Sequence, residues 1–215
     1  MKKYKAVIFD LDGTLLNTLD DLADSVNHIL KEFGYPTRRK TTIRRFLGNG
    51  IQRLMELSLP QSLGEKDREE AFTAFKTYYI DHCQVKTEPY EGMLELLATL
   101  SAQGYKLAIV SNKTYLAVQE LNKIYFSKYV QTAIGEKKGI RKKPAPDTVL
   151  KALQILGCTK EEAVYVGDSE VDKATADNTG MDCILVSWGF RDKPELVALQ
   201  AKYLVDKPAE ILKLV

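Results

Sequence analysis

The chain has 215 residues, 45% of them hydrophobic and 28% charged, with a formal net charge of +2. The composition is that of a globular protein, the length suits one core domain plus a modest insertion or a single large α/β domain, and the small charge gives no basis for a nucleic-acid or membrane partner. Three cysteines without paired spacing and only two histidines argue against a disulfide framework or a zinc site. No apolar run approaches the ~20 residues of a membrane span, and the N-terminus lacks the apolar stretch of a signal peptide, so a reducing cytoplasm is expected.

Taken in chain order, Ala6–Phe9 is a short apolar run that reads as a buried strand. Nearly a hundred residues follow without a second strand signal, and much of this span is helical. Leu19, Leu22, Ala23, Val26, Ile29, Leu30 and Phe33 form a 3.6-period stripe, with Thr18 as N-cap and Gly34 as stop signal. Ile43 to Leu57 carries a second helical pattern interrupted at Gly48-Asn49-Gly50, and Ala71, Phe72, Phe75, Tyr78 and Tyr79 a third. Residues 17–83 therefore read as an all-helical insertion in a core made of 1–16 and 84–215. Beyond it, helical patterns over Glu91–Gln103, Thr114–Ile124 and Pro146–Leu156 alternate with apolar runs at Leu107–Val110, Gln131–Ile134, Ala163–Val166 and Cys183–Val186. Strands alternating with helices predict a Rossmann-like, doubly wound parallel sheet covered on both faces.

Ligands of such sheets bind at the carboxyl ends of the strands, and chemistry-bearing residues gather there. The first strand ends in Asp10-Leu11-Asp12-Gly13-Thr14. Two carboxylates that close repel unless a cation compensates, and oxygen ligands favour Mg²⁺; a turn cluster around Asp-Gly is the plain alternative. The second strand ends in Ser111-Asn112-Lys113, where the Ser111 hydroxyl and the Asn112 backbone N–H suit an oxyanion at a helix start, or serve as ordinary caps. Lys142-Lys143-Pro144-Ala145-Pro146-Asp147 forms a proline-stiffened loop able to aim Lys143 at a phosphate, or a solvated basic loop. The fourth strand ends in Asp168-Ser169-Glu170-Val171-Asp172: Asp168 is placed like Asp10 as a second metal ligand, and Asp172, one helical turn on, could support the metal's water shell or Lys143. Convergence of all four strand ends on one sheet edge is hard to ascribe to coincident capping.

The ordered set Phe9–Thr14, Val110–Lys113, Lys142–Asp147 and Val166–Asp172 resembles the motifs of the haloacid dehalogenase superfamily. The helical insertion is similar to the cap domain of its phosphoglycolate phosphatase and β-phosphoglucomutase branch, and Val186–Arg191 resembles the phosphoglycolate phosphatase-like members. The resemblance implies a phosphatase in which Asp10 attacks phosphorus and ligates Mg²⁺. It implies that Asp12 gives its backbone carbonyl to the metal and its side chain to proton transfer. Ser111 and the Asn112 backbone would hold phosphoryl oxygens, Lys143 would neutralise charge, Asp168 would complete the metal site, Asp172 would assist, and Thr14 would orient the first loop. The second aspartate disfavours dehalogenation, since true haloacid dehalogenases lack it. Asn17 departs from the acidic residue usual in relatives at that position, and the helix after Asp172 is less alanine-rich than theirs.

The substrate expected is a small phosphorylated metabolite, 2-phosphoglycolate first, on a monomer or homodimer. In the cap, Arg53, or else Arg44 or Arg45, is the candidate partner for an anionic substrate group near the Gly48–Gly50 break. A sugar-phosphate mutase or an inorganic pyrophosphatase on the same core is the alternative, followed by a non-catalytic binding module.

Overall fold

The computed structural model describes residues 3–215. In chain order, β1 (Ala6–Phe9) leads to a two-residue strand, β2 (Leu16–Asn17), and then to helices α1 (Leu19–Glu32), α2 (Lys40–Phe46), α3 (Ile51–Ser58) and α4 (Glu65–His82). The chain returns through β3 (Glu88–Pro89) to α5 (Met93–Ala102), β4 (Lys106–Thr114), α6 (Tyr115–Leu121), β5 (Thr132–Glu136) and α7 (Asp147–Leu156). It closes with β6 (Ala163–Gly167), α8 (Glu170–Thr179), β7 (Asp182–Val186), α9 (Lys193–Ala198) and β8 (Tyr203–Val205). Two compact units result. One joins the described residues up to Leu16 to Pro89–Val215, and the other is Asn17–Glu88.

The first unit holds a six-stranded sheet in the order β5-β4-β1-β6-β7-β8, with every pair parallel. Apolar residues at every position of β1 and β6 follow from burial on both faces. Val7, Phe9, Leu107, Ile109, Val164 and Val166 pack on one side with residues of α5 and α6. Ile8, Ala108, Val110 and Tyr165 pack on the other with Val149, Leu153 and Ala176 of α7 and α8. The register sets Phe9 level with Ile109 and Val166, so the residues that follow each strand emerge at one edge.

The sheet has one strand more than the five apolar runs suggested. Tyr203–Val205 pairs with β7, but three residues between Lys202 and Asp206 are too short to register as a buried run. β4 also extends to Thr114, past the expected end at Val110, so Ser111, Asn112 and Lys113 lie in the strand and not at a helix start. The capping alternative for Ser111 and Asn112 falls with that correction, since α6 begins only at Tyr115.

The second unit is four helices, with α1 packed along α4. Ala71, Phe75 and Tyr79 of α4 are buried, as are Leu22, Val26, Ile29 and Leu30 of α1. Gly50, at a φ of 85°, precedes α3 at the break foreseen between the two middle helices. Arg68 satisfies the connection before α4, donating to the carbonyls of Leu63, Pro60 and Gln61 at 3.1, 2.8 and 3.0 Å. Thr18 occupies the N-cap position of α1, where its carbonyl accepts the Leu22 N–H at 3.2 Å, but its hydroxyl is buried without a hydrogen-bond partner among the described residues and makes no capping bond. The unit ends at Glu88 and not at Cys83, because Asp21 of α1 accepts the backbone N–H groups of Lys86 and Thr87, each at 2.9 Å, and holds that segment to the helices.

Candidate active site

β1 hands its ladder on by one residue beyond the strand. Asp10 N–H donates to the Val166 carbonyl at 2.9 Å, which seats the Asp10 side chain beside the end of β6. The chain then turns tightly, with the N–H groups of Leu15 and Leu16 both on the Leu11 carbonyl at 2.9 Å. Gly13 sits in this turn at a φ of 90°, and a Cβ there would lie 2.5 Å from Asp168 Oδ2. Only glycine meets both demands, the left-handed backbone and the close approach of the two loops.

Asp10, Asp168 and Asp172 are all buried, and one oxygen of each lies within 4.8 Å of the others. Lys143 enters this cluster as its ammonium. Its Nζ stands 2.7 Å from Asp10 Oδ1, 2.8 Å from Asp172 Oδ1 and 3.1 Å from the Tyr165 hydroxyl. Burial alone would lower the Lys143 pKa, but Asp10 and Asp172 outweigh it and hold the group above its ordinary value as a permanent cation. The loop that delivers Lys143 is clamped from β4. Lys143 N–H donates to Asn112 Oδ1 at 2.8 Å, and Asn112 Nδ2 donates back to the Lys143 carbonyl at 3.1 Å. The Asn112 side chain therefore positions Lys143, a job separate from the backbone role read from the sequence.

The three carboxylates are not equivalent. Asp172 is saturated: Oδ1 takes Lys143 and the Tyr165 hydroxyl, and Oδ2 takes the N–H groups of Asp168 and Ser169, each at 3.1 Å, and the Ser169 hydroxyl at 2.6 Å. Asp168 accepts the Phe190 N–H at 2.6 Å on Oδ2, while its Oδ1 and the Oδ2 of Asp10 carry no partner among the described residues. Burial, followed by the charge of Asp172, raises the Asp10 pKa well above the carboxylate range. The same two causes push Asp168 up to about 7. One ammonium for three buried carboxyl groups is a deficit of positive charge. Free lone pairs on Asp10 and Asp168, with hard oxygen donors throughout, fit a divalent cation of the Mg²⁺ type at that point. Asp172 has no lone pair to spare and supports both neighbours instead.

The remaining candidates are placed as follows. Asp12 is partly exposed and ion-paired through Oδ1 with Lys113 Nζ at 3.0 Å. The buried Ser111 hydroxyl accepts the Lys113 N–H at 3.2 Å, leaving its own proton available. Thr14 is buried and its hydroxyl has no partner among the described residues; its carbonyl, not its side chain, ties the loop by accepting the Trp188 indole N–H at 3.0 Å. Arg53 belongs to the helical unit, on α3, where it pairs with Glu56 at 3.1 Å.

Three contributors were missed in the sequence. Lys113 closes the Ser111-Asn112-Lys113 segment at the expected end of the second strand, and as a cation there could have been found. Tyr165 is hidden in a continuous apolar run, where only its polar tip hints at a partner. The Phe190 N–H is a backbone group and leaves no trace in residue type. Its loop is braced by Arg191, whose guanidinium grips Glu170 at 2.6 and 2.7 Å.

The model of the haloacid dehalogenase-like hydrolase family matches residues 7–186. The chain belongs to that family, and within it stands with the phosphatases that resemble phosphoglycolate phosphatase. It is 32% identical to a phosphoglycolate phosphatase of Aquifex aeolicus over 98% of this chain and 96% of the relative. It is 31% identical to pyrophosphatase PpaX of Bacillus cereus over 98% and 95% of the two chains. A crystal structure from Lactobacillus delbrueckii subsp. bulgaricus, of a protein provisionally named a phosphoglycolate phosphatase, superposes with a TM-score of 0.94. Identity is 37%, covering 99% of this chain and 98% of the other.

Proposed function

We propose that the chain hydrolyses small phosphate monoesters, 2-phosphoglycolate first among them, in two displacements through a phosphorylated Asp10. The observation that carries this reading is the asymmetry of the buried cluster. Asp10 and Asp168 have unpaired oxygens, while Asp172 is fully committed to holding Lys143 and the loop after β6. Asp10, Asp168 and the Asp12 carbonyl would hold Mg²⁺, which supplies the positive charge that lets an anionic nucleophile meet an anionic phosphoryl group.

The chain's own groups account for the rest. Lys143, fixed by Asn112 and Asp172, offsets charge on Asp10 and on the phosphoryl oxygens. The Ser111 O–H donates to one of those oxygens. An oxygen of Asp10 bonds to phosphorus, the bond from phosphorus to the bridging oxygen breaks, and the Asp12 carboxyl gives that oxygen its proton. Asp12 then takes a proton from water, the water oxygen bonds to phosphorus, and the Asp10–phosphorus bond breaks to release inorganic phosphate. The helical unit, which carries Arg53, contributes to substrate choice.

Pyrophosphate is the second reading, favoured by the Bacillus cereus relative that bears the pyrophosphatase name. Hydrolysis of p-nitrophenyl phosphate with and without Mg²⁺ tests the core of the proposal. Asp10→Asn is expected to lower turnover by at least about a thousandfold, since no bond to phosphorus can form. Mass spectrometry of acid-quenched wild-type protein should show one added phosphoryl group on the peptide containing Asp10. Turnover that survives Asp10→Asn would remove the reading.

A further inference from the structure

We propose that a cavity walled by Tyr90 and Trp188 binds a small organic ammonium compound with an apolar body, and that its occupancy is felt in the loop carrying Asp10. The binding site is independent of the proposed hydrolysis; only its effect on turnover rests on that reading.

The cavity has a volume of about 600 Å³, the size of a small-molecule site, and lies wholly within the unit that holds the sheet. Leu96 of α5 and Pro208 and Leu212 of the short helix Pro208–Lys213 supply apolar lining. Tyr90 and Trp188, both half-buried, form an aromatic corner, with ring centroids 6.5 Å apart and planes inclined at 59°.

The charges around that corner are unbalanced. Asp206 is committed, held by Lys193 at 2.6 and 2.8 Å. Glu91 and Glu95, four residues apart, are exposed and have no ion-pair partner among the described residues, while Lys207 is the opposing ammonium. Two free carboxylates against one free ammonium leave the lining negative. An ammonium within about 6 Å of a ring centroid is drawn to the ring face, and the same charge is drawn to the carboxylates, so both features select one chemistry. An anionic ligand would be repelled by Glu91 and Glu95, and a neutral one would forgo both attractions. The plain alternative for Glu95 is its place in the first turn of α5, where a carboxylate favours the helix itself. That alternative leaves the aromatic corner and the open cavity without a role.

The same two aromatic residues hold the loop that follows β1. The Trp188 indole N–H donates to the Thr14 carbonyl at 3.0 Å, and the Tyr90 N–H to the Leu15 carbonyl at 3.1 Å. Two residues after Trp188, the Phe190 N–H donates to Asp168. A ligand packed against Trp188 therefore bears on the segments that fix both Asp10 and Asp168.

Trp188 is the one tryptophan of the chain, so its emission reports on the cavity directly. Three probes share a phenylethyl body and differ in the head group: phenethylammonium, 2-phenylethanol and 3-phenylpropanoate. Phenethylammonium is expected to change the Trp188 emission saturably, with half-saturation at about 1 mM. The alcohol and the carboxylate should need at least about tenfold more. Glu91→Gln combined with Glu95→Gln should raise the half-saturating concentration of the amine at least about fivefold and leave that of 2-phenylethanol unchanged. At saturating amine, kcat for p-nitrophenyl phosphate with Mg²⁺ should change by at least about twofold, without competition between amine and substrate. No saturable response, an alcohol or carboxylate that binds as well as the amine, or full affinity in the double variant would overturn the site. Competition with substrate, or an unchanged kcat, would overturn its reach to the Asp10 loop. If p-nitrophenyl phosphate is not turned over even without the amine, the hydrolase reading has failed, and the fluorescence titration still decides the site.

Discussion

Asn112 shows how much one side chain decides at this site. Its amide makes both hydrogen bonds to the backbone of Lys143, 31 residues away in the chain, and both are buried. Asn112→Ala would leave an N–H and a carbonyl without partners, each costing about 1–3 kcal/mol, for a total of about 2–6 kcal/mol in urea denaturation. Because Lys143 would then lose its aim, kcat should fall by at least about tenfold at Mg²⁺ saturation, with a smaller change in KM. An Asn112→Ala protein of unaltered stability would show that the clamp contributes nothing. Lys143 and Lys113 also show that two ammonium groups can serve different carboxylates, distinguished by their positions within β4 and before α7.

Among the elements, α1 carries the clearest device. Asp21 is buried in its first turn, and its carboxylate accepts the Lys86 N–H at both oxygens, 2.9 and 3.0 Å, and the Thr87 N–H at 2.9 Å. These bonds tie the last segment of the helical unit to its first helix, so the unit is closed on itself. Charged hydrogen bonds of this kind are stronger than neutral ones. Asp21→Ala should therefore destabilise the protein by about 2–3 kcal/mol and increase amide exchange at Lys86 and Thr87 before other positions. Protected amides at those two residues in the variant would contradict this account.

At the level of the whole molecule, the charge deficit at the sheet edge links stability to pH and to metal. Asp168 moves from an ordinary 3.8 to about 7 in the fold, so its folded value lies above its unfolded one. Its contribution to stability is fully present below about pH 4 and is lost as pH rises through 7, where the buried group must ionise. The shift corresponds to a contribution on the order of 4 kcal/mol, and Asp10 moves in the same direction. A divalent cation relieves the cost. Mg²⁺ should accordingly raise the unfolding temperature, measured against EDTA, by several degrees more at pH 8 than at pH 5. Asp168→Asn should flatten that difference while abolishing Mg²⁺-dependent turnover. Equal Mg²⁺ shifts at both pH values would sink the link.

The apolar runs at Ala6–Phe9, Leu107–Val110, Ala163–Val166 and Cys183–Val186 were legible in the sequence because strands buried on both faces leave no alternation to interrupt them. The candidate cluster was legible for a related reason: parallel strands all point their carboxyl ends one way, so charged residues just after each run must share an edge. What the linear order could not express was partnership. That Asn112 serves Lys143, that Tyr165 reaches out of an apolar strand to Asp172, and that Phe190 offers its N–H to Asp168 depend on register and loop approach. Residue order along the chain settles which side chains arrive at the sheet edge. Which carboxylates are saturated there and which keep free lone pairs is settled in the folded molecule, because hydrogen-bond partners far apart in the chain are chosen by packing and not by spacing.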